Sequence, residues 1–105
     1  MLDKQERMNR LLDFYAALLT EHQQHLMQLH YREDYSYSEI AELQQSSKAS
    51  IHESIKRSET ILEDVESKLN CLKQYEKRKE LYTKARSIGD NNLNDLIDKL
   101  EKSEE

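Results

Sequence analysis

The sequence predicts an all-α protein, and three observations support this fold class. The 105 residues include no Pro and one Gly, so the turn chemistry of a β-rich fold is missing. Apolar residues recur at three- and four-residue steps along most of the chain. Short motifs typical of helix starts stand between these stretches. We expect a single domain over residues 1–105, with a core at 4–60 and a helical extension at 61–105.

Composition excludes several classes of protein. One Cys cannot form an internal disulfide framework or a Cys-rich zinc site. No apolar run approaches the roughly 18 residues of a membrane span, and the first residues lack the apolar core of a signal peptide. What these exclusions leave is a soluble, cytoplasmic, all-helical protein, and its net charge is −5.

The first two helices are predicted over residues 4–19 and from Glu21 to about Tyr31. The apolar face of the first comprises Met8, Leu11, Leu12, Tyr15, Leu18 and Leu19. Thr20 is predicted to cap the second, because Thr20 and Gln23 fit a capping box. Leu26 and Leu29 are expected to face inward.

A short third helix follows a polar break and another capping box at Ser36 and Glu39. Its predicted apolar face comprises Ile40, Ala41 and Leu43. The tyrosines at 31, 35 and 37 surround the break and are expected to fill the space between short helices. Residues 44–46 form a tight connection.

The fourth helix is predicted to start at the cap Ser47, with Ser46 as a nearly equal alternative. It meets no obvious stop before Gly89, although a break near residues 71–76 is possible. Apolar residues at seven-residue steps predict a coiled-coil seam and a homodimer. The predicted dimer interface comprises Ile55, Leu62, Val65, Leu69 and Leu72. A last helix is expected over 93–102, capped by Asn92, with Leu93, Leu96, Ile97 and Leu100 on one face.

Residues 20–57 have the layout of a helix-turn-helix unit. A leading helix, a short helix and a tight turn precede a helix with small polar and basic residues in its first two turns. In such units the second helix of the motif enters the major groove and its first residues reach base edges. The predicted nucleic-acid-binding residues are Ser47, Lys48, Ser50, His52, Lys56 and Arg57.

About residues 5–70 resemble the YlxM-like proteins of low-GC Gram-positive bacteria and mollicutes. The resemblance is carried by the stretches TEHQ (20–23), SYSEIAE (36–42), SKASI (47–51) and IKRSE (55–59), and by ILE at 61–63. It implies a sigma-factor region-four-like, winged-helix-type three-helix bundle that binds DNA or RNA. These proteins are usually encoded beside the signal recognition particle GTPase, which implies a role in that pathway or in regulating its genes. The chain departs from the family at Ser46, where an apolar residue is usual, and at Lys48, where Arg is usual.

A second basic cluster lies in the predicted extension, interleaved with Tyr75 and Tyr82. This secondary basic patch comprises Lys73, Lys77, Arg78, Lys84 and Arg86. It could grip phosphates while the tyrosines stack on unpaired bases. The alternative is a solvated helix face in which Glu76 and Glu80 form i,i+4 ion pairs.

No residue pattern predicts catalysis, a cofactor or a small-molecule substrate. His22 and His25 are three residues apart without a clear third ligand, so a metal site is not expected. Cys71 is expected to behave as a small buried hydrophobe. Two functions remain open: a nucleic-acid-binding regulatory protein that acts on DNA or on signal recognition particle RNA or protein, and a protein-interaction adaptor that keeps the fold without reading DNA.

Overall fold

The structure is a computed structural model that describes residues 3–104, and within that range every regular element is a helix. The all-α prediction is therefore confirmed. The elements are α1 (Lys4–Tyr15), a 3₁₀ turn (Ala16–Leu18), α2 (Glu21–Tyr31), α3 (Tyr37–Gln44), α4 (Lys48–Leu69), α5 (Cys71–Arg86) and α6 (Asn91–Ser103). None of the helices in the described range is long and apolar enough to cross a membrane.

The chain divides into two compact units, residues 1–72 and 73–105. In the first unit, α1, α2 and α3 each pack against α4. Its core comprises Met8, Leu11, Leu12, Tyr15, Leu19, Leu26, Met27, Leu29, Tyr31, Ile40, Ala41, Ile51, Ile55, Leu62 and Leu72. In the second unit, α5 continues to Arg86 and α6 follows a short turn.

Three predicted helix starts are confirmed by side-chain caps. Thr20 and Gln23 form a reciprocal capping box, and Ser36 and Glu39 form another. Ser47 accepts a 3.1 Å hydrogen bond from the backbone N–H of Ser50. Because each cap satisfies a backbone donor that the helix leaves unpaired, these local motifs fix where α2, α3 and α4 begin.

Two leucines expected in the core are exposed. Leu18 lies in the 3₁₀ turn that follows Tyr15, where the tighter winding rotates its side chain away from the stripe of α1, and Leu19 is buried instead. Leu43 stands about 110° around α3 from the middle of the buried Ile40–Ala41 face, so its side chain points outward.

The fourth helix does not run uninterrupted to Gly89, because the chain breaks at Asn70, one residue before the stretch 71–76 where a break was considered possible. This residue takes a left-handed conformation with φ of 57°, which Asn tolerates better than most residues. The backbone N–H of Cys71 then donates to the Tyr15 hydroxyl at 3.0 Å, and that of Leu72 donates to Glu66 at 3.1 Å. Two free donors at the start of α5 are thus satisfied by side chains from elsewhere in the first unit.

The start of the last helix also differs from its prediction. Asp90, rather than Asn92, caps α6 by accepting a 3.1 Å hydrogen bond from the Leu93 N–H. Ahead of it, Gly89 takes the left-handed φ of 78° expected of a glycine after a helix. Helix α5 itself stops three residues earlier, at Arg86.

Candidate nucleic-acid interface

The turn between α3 and α4 fixes the orientation of α4 relative to α3. Gln45 takes a left-handed φ of 53°, and the N–H of Ser46 returns to the carbonyl oxygen of Ala41 at 2.9 Å. Behind the turn, Ile51 and Ile55 are fully buried in the core of the first unit. This packing leaves the opposite side of the first two turns of α4 facing solvent.

Four of the six predicted nucleic-acid-binding residues lie together on that exposed surface, which we call the recognition face: Ser47, Lys48, Ser50 and His52. The Ser47 hydroxyl serves as the helix cap. Lys48 makes no ion pair within residues 3–104 and keeps its charge available. Its ammonium also stands at a helix N-terminus, a position that favours nearby anions.

Lys56, the fifth predicted residue, is turned toward a buried carboxylate. Its ammonium lies 3.5 Å from Glu59, whose side chain is only 9% exposed. Lys4 reaches the same carboxylate at 3.0 Å, and the Tyr31 hydroxyl donates to it at 2.5 Å. Burial alone would raise the pKa of Glu59, but the hydrogen bonds from Tyr31 and Lys4 outweigh it and hold the pKa below its ordinary value.

Arg57, the sixth predicted residue, pairs with Glu53 one turn earlier on the surface of α4. The guanidinium nitrogen lies 2.8 Å from the carboxylate oxygen, and both side chains are exposed. Such an exposed pair is worth at most about 1 kcal/mol. A phosphate could therefore take the place of Glu53 at little cost.

An aromatic stack that the sequence did not predict holds His52. Its ring lies nearly perpendicular to that of Tyr37, with 5.0 Å between centroids, and His30 stacks on Tyr37 at 4.6 Å. The stack connects α2, the start of α3 and α4. The expectation that the tyrosines fill the space between short helices holds, since Tyr31 is buried and Tyr35 and Tyr37 pack against the core.

The secondary basic patch is largely neutralised within the second unit. Arg86 lies 2.6 Å from Asp98 and 3.1 Å from Glu101, Arg78 pairs with Glu104, and Lys84 pairs with Glu80 at 3.5 Å. The neighbouring Lys79 also binds Glu101. Of the remaining members, Lys73 and Lys77 are exposed. The cluster is therefore mainly an intramolecular ion-pair surface, with acidic partners on α6 that helical spacing within α5 could not reveal.

The predicted dimer seam needs correction at three positions. Ile55, Leu62 and Leu72 are buried in the core of their own first unit, so they are not available to a second copy. Val65 is half-buried against the same core, and Leu69 alone of the five is exposed. The seven-residue spacing reflects the side of α4 that packs on α1, α2 and α3.

No group of three potential metal ligands occurs in the part of the chain that the structure describes. His22 and His25 are exposed on α2. Cys71 is half-buried against the core, at the first position of α5.

Comparison with known proteins agrees with the helix-turn-helix geometry. The family model described as "Putative helix-turn-helix protein, YlxM / p13 like" matches residues 2–103. The YlxM protein of Bacillus subtilis is 41% identical over 106 residues, which cover 96% of each chain. A relative from Geobacillus sp. (strain WCH70) is 41% identical over 99% of this chain and all of its own. Another from Halalkalibacterium halodurans is 44% identical over all of this chain and 89% of its own. The chain therefore belongs to the YlxM/p13-like family of helix-turn-helix proteins.

Proposed function

We propose that this protein is a non-catalytic, cytoplasmic regulator that binds duplex nucleic acid through the recognition face of α4. The observation that carries the proposal is the capped and exposed start of α4. Ser47, Lys48, Ser50 and His52 face solvent there, while Ile51 and Ile55 anchor the helix from behind. Helix-turn-helix proteins use this part of the helix to reach base edges in the major groove.

The charges around the recognition face favour weak binding with few phosphate contacts. Lys48 has no ion-pair partner among residues 3–104, Arg57 can be released from Glu53, and Lys56 shares Glu59 with Lys4. If two or three phosphates are neutralised, a plot of the logarithm of the binding constant against the logarithm of the salt concentration has a slope of roughly −2 to −3. As a homodimer, the protein would present two α4 helices to half-sites one turn of duplex apart.

The target follows from the family resemblance rather than from geometry. Because YlxM-like proteins are usually encoded beside the signal recognition particle GTPase, we include the genes and the RNA of that particle among the nucleic acids to be tested.

A second candidate function is that of a protein-interaction adaptor. The net charge of −5 opposes binding to a polyanion, and carboxylates already occupy Lys56 and Arg57. Lys48 also lacks the two-pronged guanidinium that an Arg would offer to guanine. These observations favour a recognition face that meets a protein partner, with the signal recognition particle GTPase as the first to test.

Fluorescence anisotropy with duplex DNA and with signal recognition particle RNA, over a salt series, separates the two functions. We expect Lys48→Ala to weaken binding about tenfold and to reduce the salt slope by about 1. Lys68→Ala is the matched control, because Lys68 is an exposed lysine at the other end of α4. Absence of binding to either nucleic acid at about 100 µM, far above specific affinities, would favour the adaptor.

A further inference from the structure

Two lysines from different helices bind one carboxylate oxygen beside the recognition face. The ammonium of Lys4 on α1 lies 3.0 Å from Oε1 of Glu59, and that of Lys56 on α4 lies 3.5 Å from the same atom. The Tyr31 hydroxyl donates to the other oxygen of this carboxylate at 2.5 Å. Glu59 therefore holds one more cation than its single charge requires.

Lys56 is the more weakly held of the two lysines. Its distance to Glu59 exceeds the roughly 2.7–2.9 Å of a strong charge-assisted hydrogen bond. Because Lys4 approaches the same oxygen, the like charges of the two ammoniums also repel each other. The side chain of Lys56 is 44% exposed and that of Glu59 is 9% exposed, so the lysine can turn toward solvent while the carboxylate stays in place.

Lys4 lowers the free-energy cost of that movement. A buried carboxylate that loses its cation is strongly destabilising. With Lys4 in place, Glu59 keeps an ammonium and the Tyr31 hydroxyl after Lys56 has left. If Lys4 were removed, the departure of Lys56 would leave the carboxylate with the neutral hydroxyl. The lysine of α1 thus decides whether the lysine of α4 is available to another anion.

Helical geometry places Lys56 toward the outer side of α4. At about 100° per residue, it stands about 120° around the helix from the middle of the buried Ile51–Ile55 side, whereas Glu59 stands about 60° from it. Lys56 also lies roughly 12 Å further along the helix axis than Lys48. Lysines beside a recognition helix contact phosphates and so set the position of the protein on the duplex.

We propose that Lys56 exchanges Glu59 for a phosphate of the bound nucleic acid, and that Lys4 is the positioning residue that permits this exchange. In the free protein both lysines share Glu59, and in the complex Lys4 alone neutralises it. The inference rests on the proposed function, because it concerns nucleic acid bound at the recognition face. It gives α1 an effect on binding without a contact of its own.

Fluorescence anisotropy over a salt series, with duplex DNA and with signal recognition particle RNA, tests the exchange in a double-mutant cycle. Lys56→Ala should weaken binding about tenfold and reduce the steepness of the salt slope by about 1. Lys4→Gln should have nearly the same effect, because it leaves Lys56 bound to Glu59. The double variant should bind about as well as Lys56→Ala. Lys4→Arg keeps the cation and should bind like the wild type.

Lys68→Ala is the matched control for the loss of one positive charge. Lys68 is an exposed lysine that pairs with Asp64 at 3.1 Å on the same helix, and its removal should leave binding unchanged. A double variant that loses the sum of the two single effects would show that Lys4 contacts a phosphate itself, contrary to the proposal. Wild-type affinity and salt dependence in Lys4→Gln would also overturn it.

Urea denaturation without nucleic acid tests the shared carboxylate independently. Lys56→Ala should shift the unfolding midpoint little in the presence of Lys4, and clearly more in the Lys4→Gln background, because Glu59 then loses both cations. Equal shifts in the two backgrounds would contradict the sharing. If Lys4→Gln does not fold, Glu59→Gln decides, because it frees Lys56 and should bind at least as tightly as the wild type; weaker binding would refute the exchange.

Failure of the exchange and failure of the proposed function are distinguishable. A wild-type protein that binds neither nucleic acid at about 100 µM would overturn both. Binding that Lys48→Ala weakens and Lys4→Gln does not would leave the proposed function standing and overturn the exchange alone.

Discussion

Tyr15 and Glu66 are both buried, and the tyrosine hydroxyl donates a 2.7 Å hydrogen bond to the carboxylate of a residue 51 positions further along the chain. The same hydroxyl accepts from the N–H of Cys71, and the same carboxylate accepts from the N–H of Leu72. Burial, together with the hydrogen bond to Glu66, raises the pKa of Tyr15 far above its ordinary value. The hydroxyl therefore stays protonated and acts as both donor and acceptor at the break between α4 and α5.

Tyr15→Phe should destabilise the first unit by about 2 kcal/mol, because it leaves a buried carboxylate oxygen and a backbone N–H without their partner. Urea denaturation followed by circular dichroism measures the change. Tyr82→Phe is the control, since the Tyr82 hydroxyl lies 3.5 Å from Glu104 in a partly exposed position. Equal stabilities for Tyr15→Phe and the wild type would contradict this assignment.

Stability should fall with acid because several native carboxylates, Glu59 and Glu63 in the first unit among them, have lowered pKa values. The hydrogen bond from Arg7 lowers the pKa of Glu63, and Tyr31 and Lys4 overcome the effect of burial on Glu59. A lowered native pKa contributes stability that is present above the unfolded value, about 4.3, and is lost as the pH falls through the native pKa. We expect the free energy of unfolding to drop between about pH 5 and pH 3.

Glu59→Gln should flatten that pH dependence, because it removes one of the carboxylates whose native pKa is lowered. Glu53→Gln is the control: the Glu53 carboxylate is exposed in its pair with Arg57, and we expect the acid-induced loss to remain as in the wild type. Urea titrations at several pH values provide the comparison. If the free energy of unfolding of Glu59→Gln depended on pH as steeply as that of the wild type, Glu59 would make no contribution to the acid-induced loss of stability.

Two adjacent glutamines should respond to glycine with opposite signs. Gln45 has a left-handed φ of 53°, so Gln45→Gly relieves strain and should stabilise the protein by about 0.5–1 kcal/mol. Gln44 ends α3 in ordinary helical geometry, and Gln44→Gly should destabilise by a similar amount. Thermal unfolding distinguishes them. If Gln45→Gly lost stability instead, the Gln45 side chain would stabilise the protein by more free energy than its left-handed backbone conformation costs.

The contacts of the aromatic stack should depend on the ring of Tyr37 and not on its hydroxyl. Tyr37→Phe keeps the contacts with His30 and His52, whereas Tyr37→Ala removes both. We expect the ring proton resonances of the two histidines to stay near their wild-type NMR positions in Tyr37→Phe and to move in Tyr37→Ala. The stack would be refuted if His52 gave the same spectrum in all three proteins.

Local features were predictable from the sequence, and long-range ones were not. Thr20, Ser36 and Ser47 were identified as caps because each acts on a backbone group within three residues. A break was considered possible near residues 71–76, but its place at Asn70 was not predicted, because the stabilising partner Tyr15 lies far away along the chain.

The candidate site divides in the same way. The positions of Ser47 and Lys48 follow from the helix start, but the partners of the basic residues do not. Glu59 attracts Lys4 from another helix, Asp98 of α6 pairs with Arg86, and Glu104 just after α6 pairs with Arg78. The seven-residue stripe of α4 was assigned to a second copy, because periodicity identifies an apolar face without saying which surface covers it.

The hydrogen bonds that the Tyr15 hydroxyl makes with Glu66 and with the N–H of Cys71 have a consequence for the order of folding. These contacts span 51 and 56 residues, so they form only after α1 has docked on α4, and closing so long a loop is slow. A fragment of residues 48–86 lacks the hydroxyl that receives the N–H of Cys71. In that fragment the helix can propagate through Asn70, because continuation supplies the missing acceptors. Docking of the first helix thus supplies the acceptor that favours the break at Asn70 over a continuous helix.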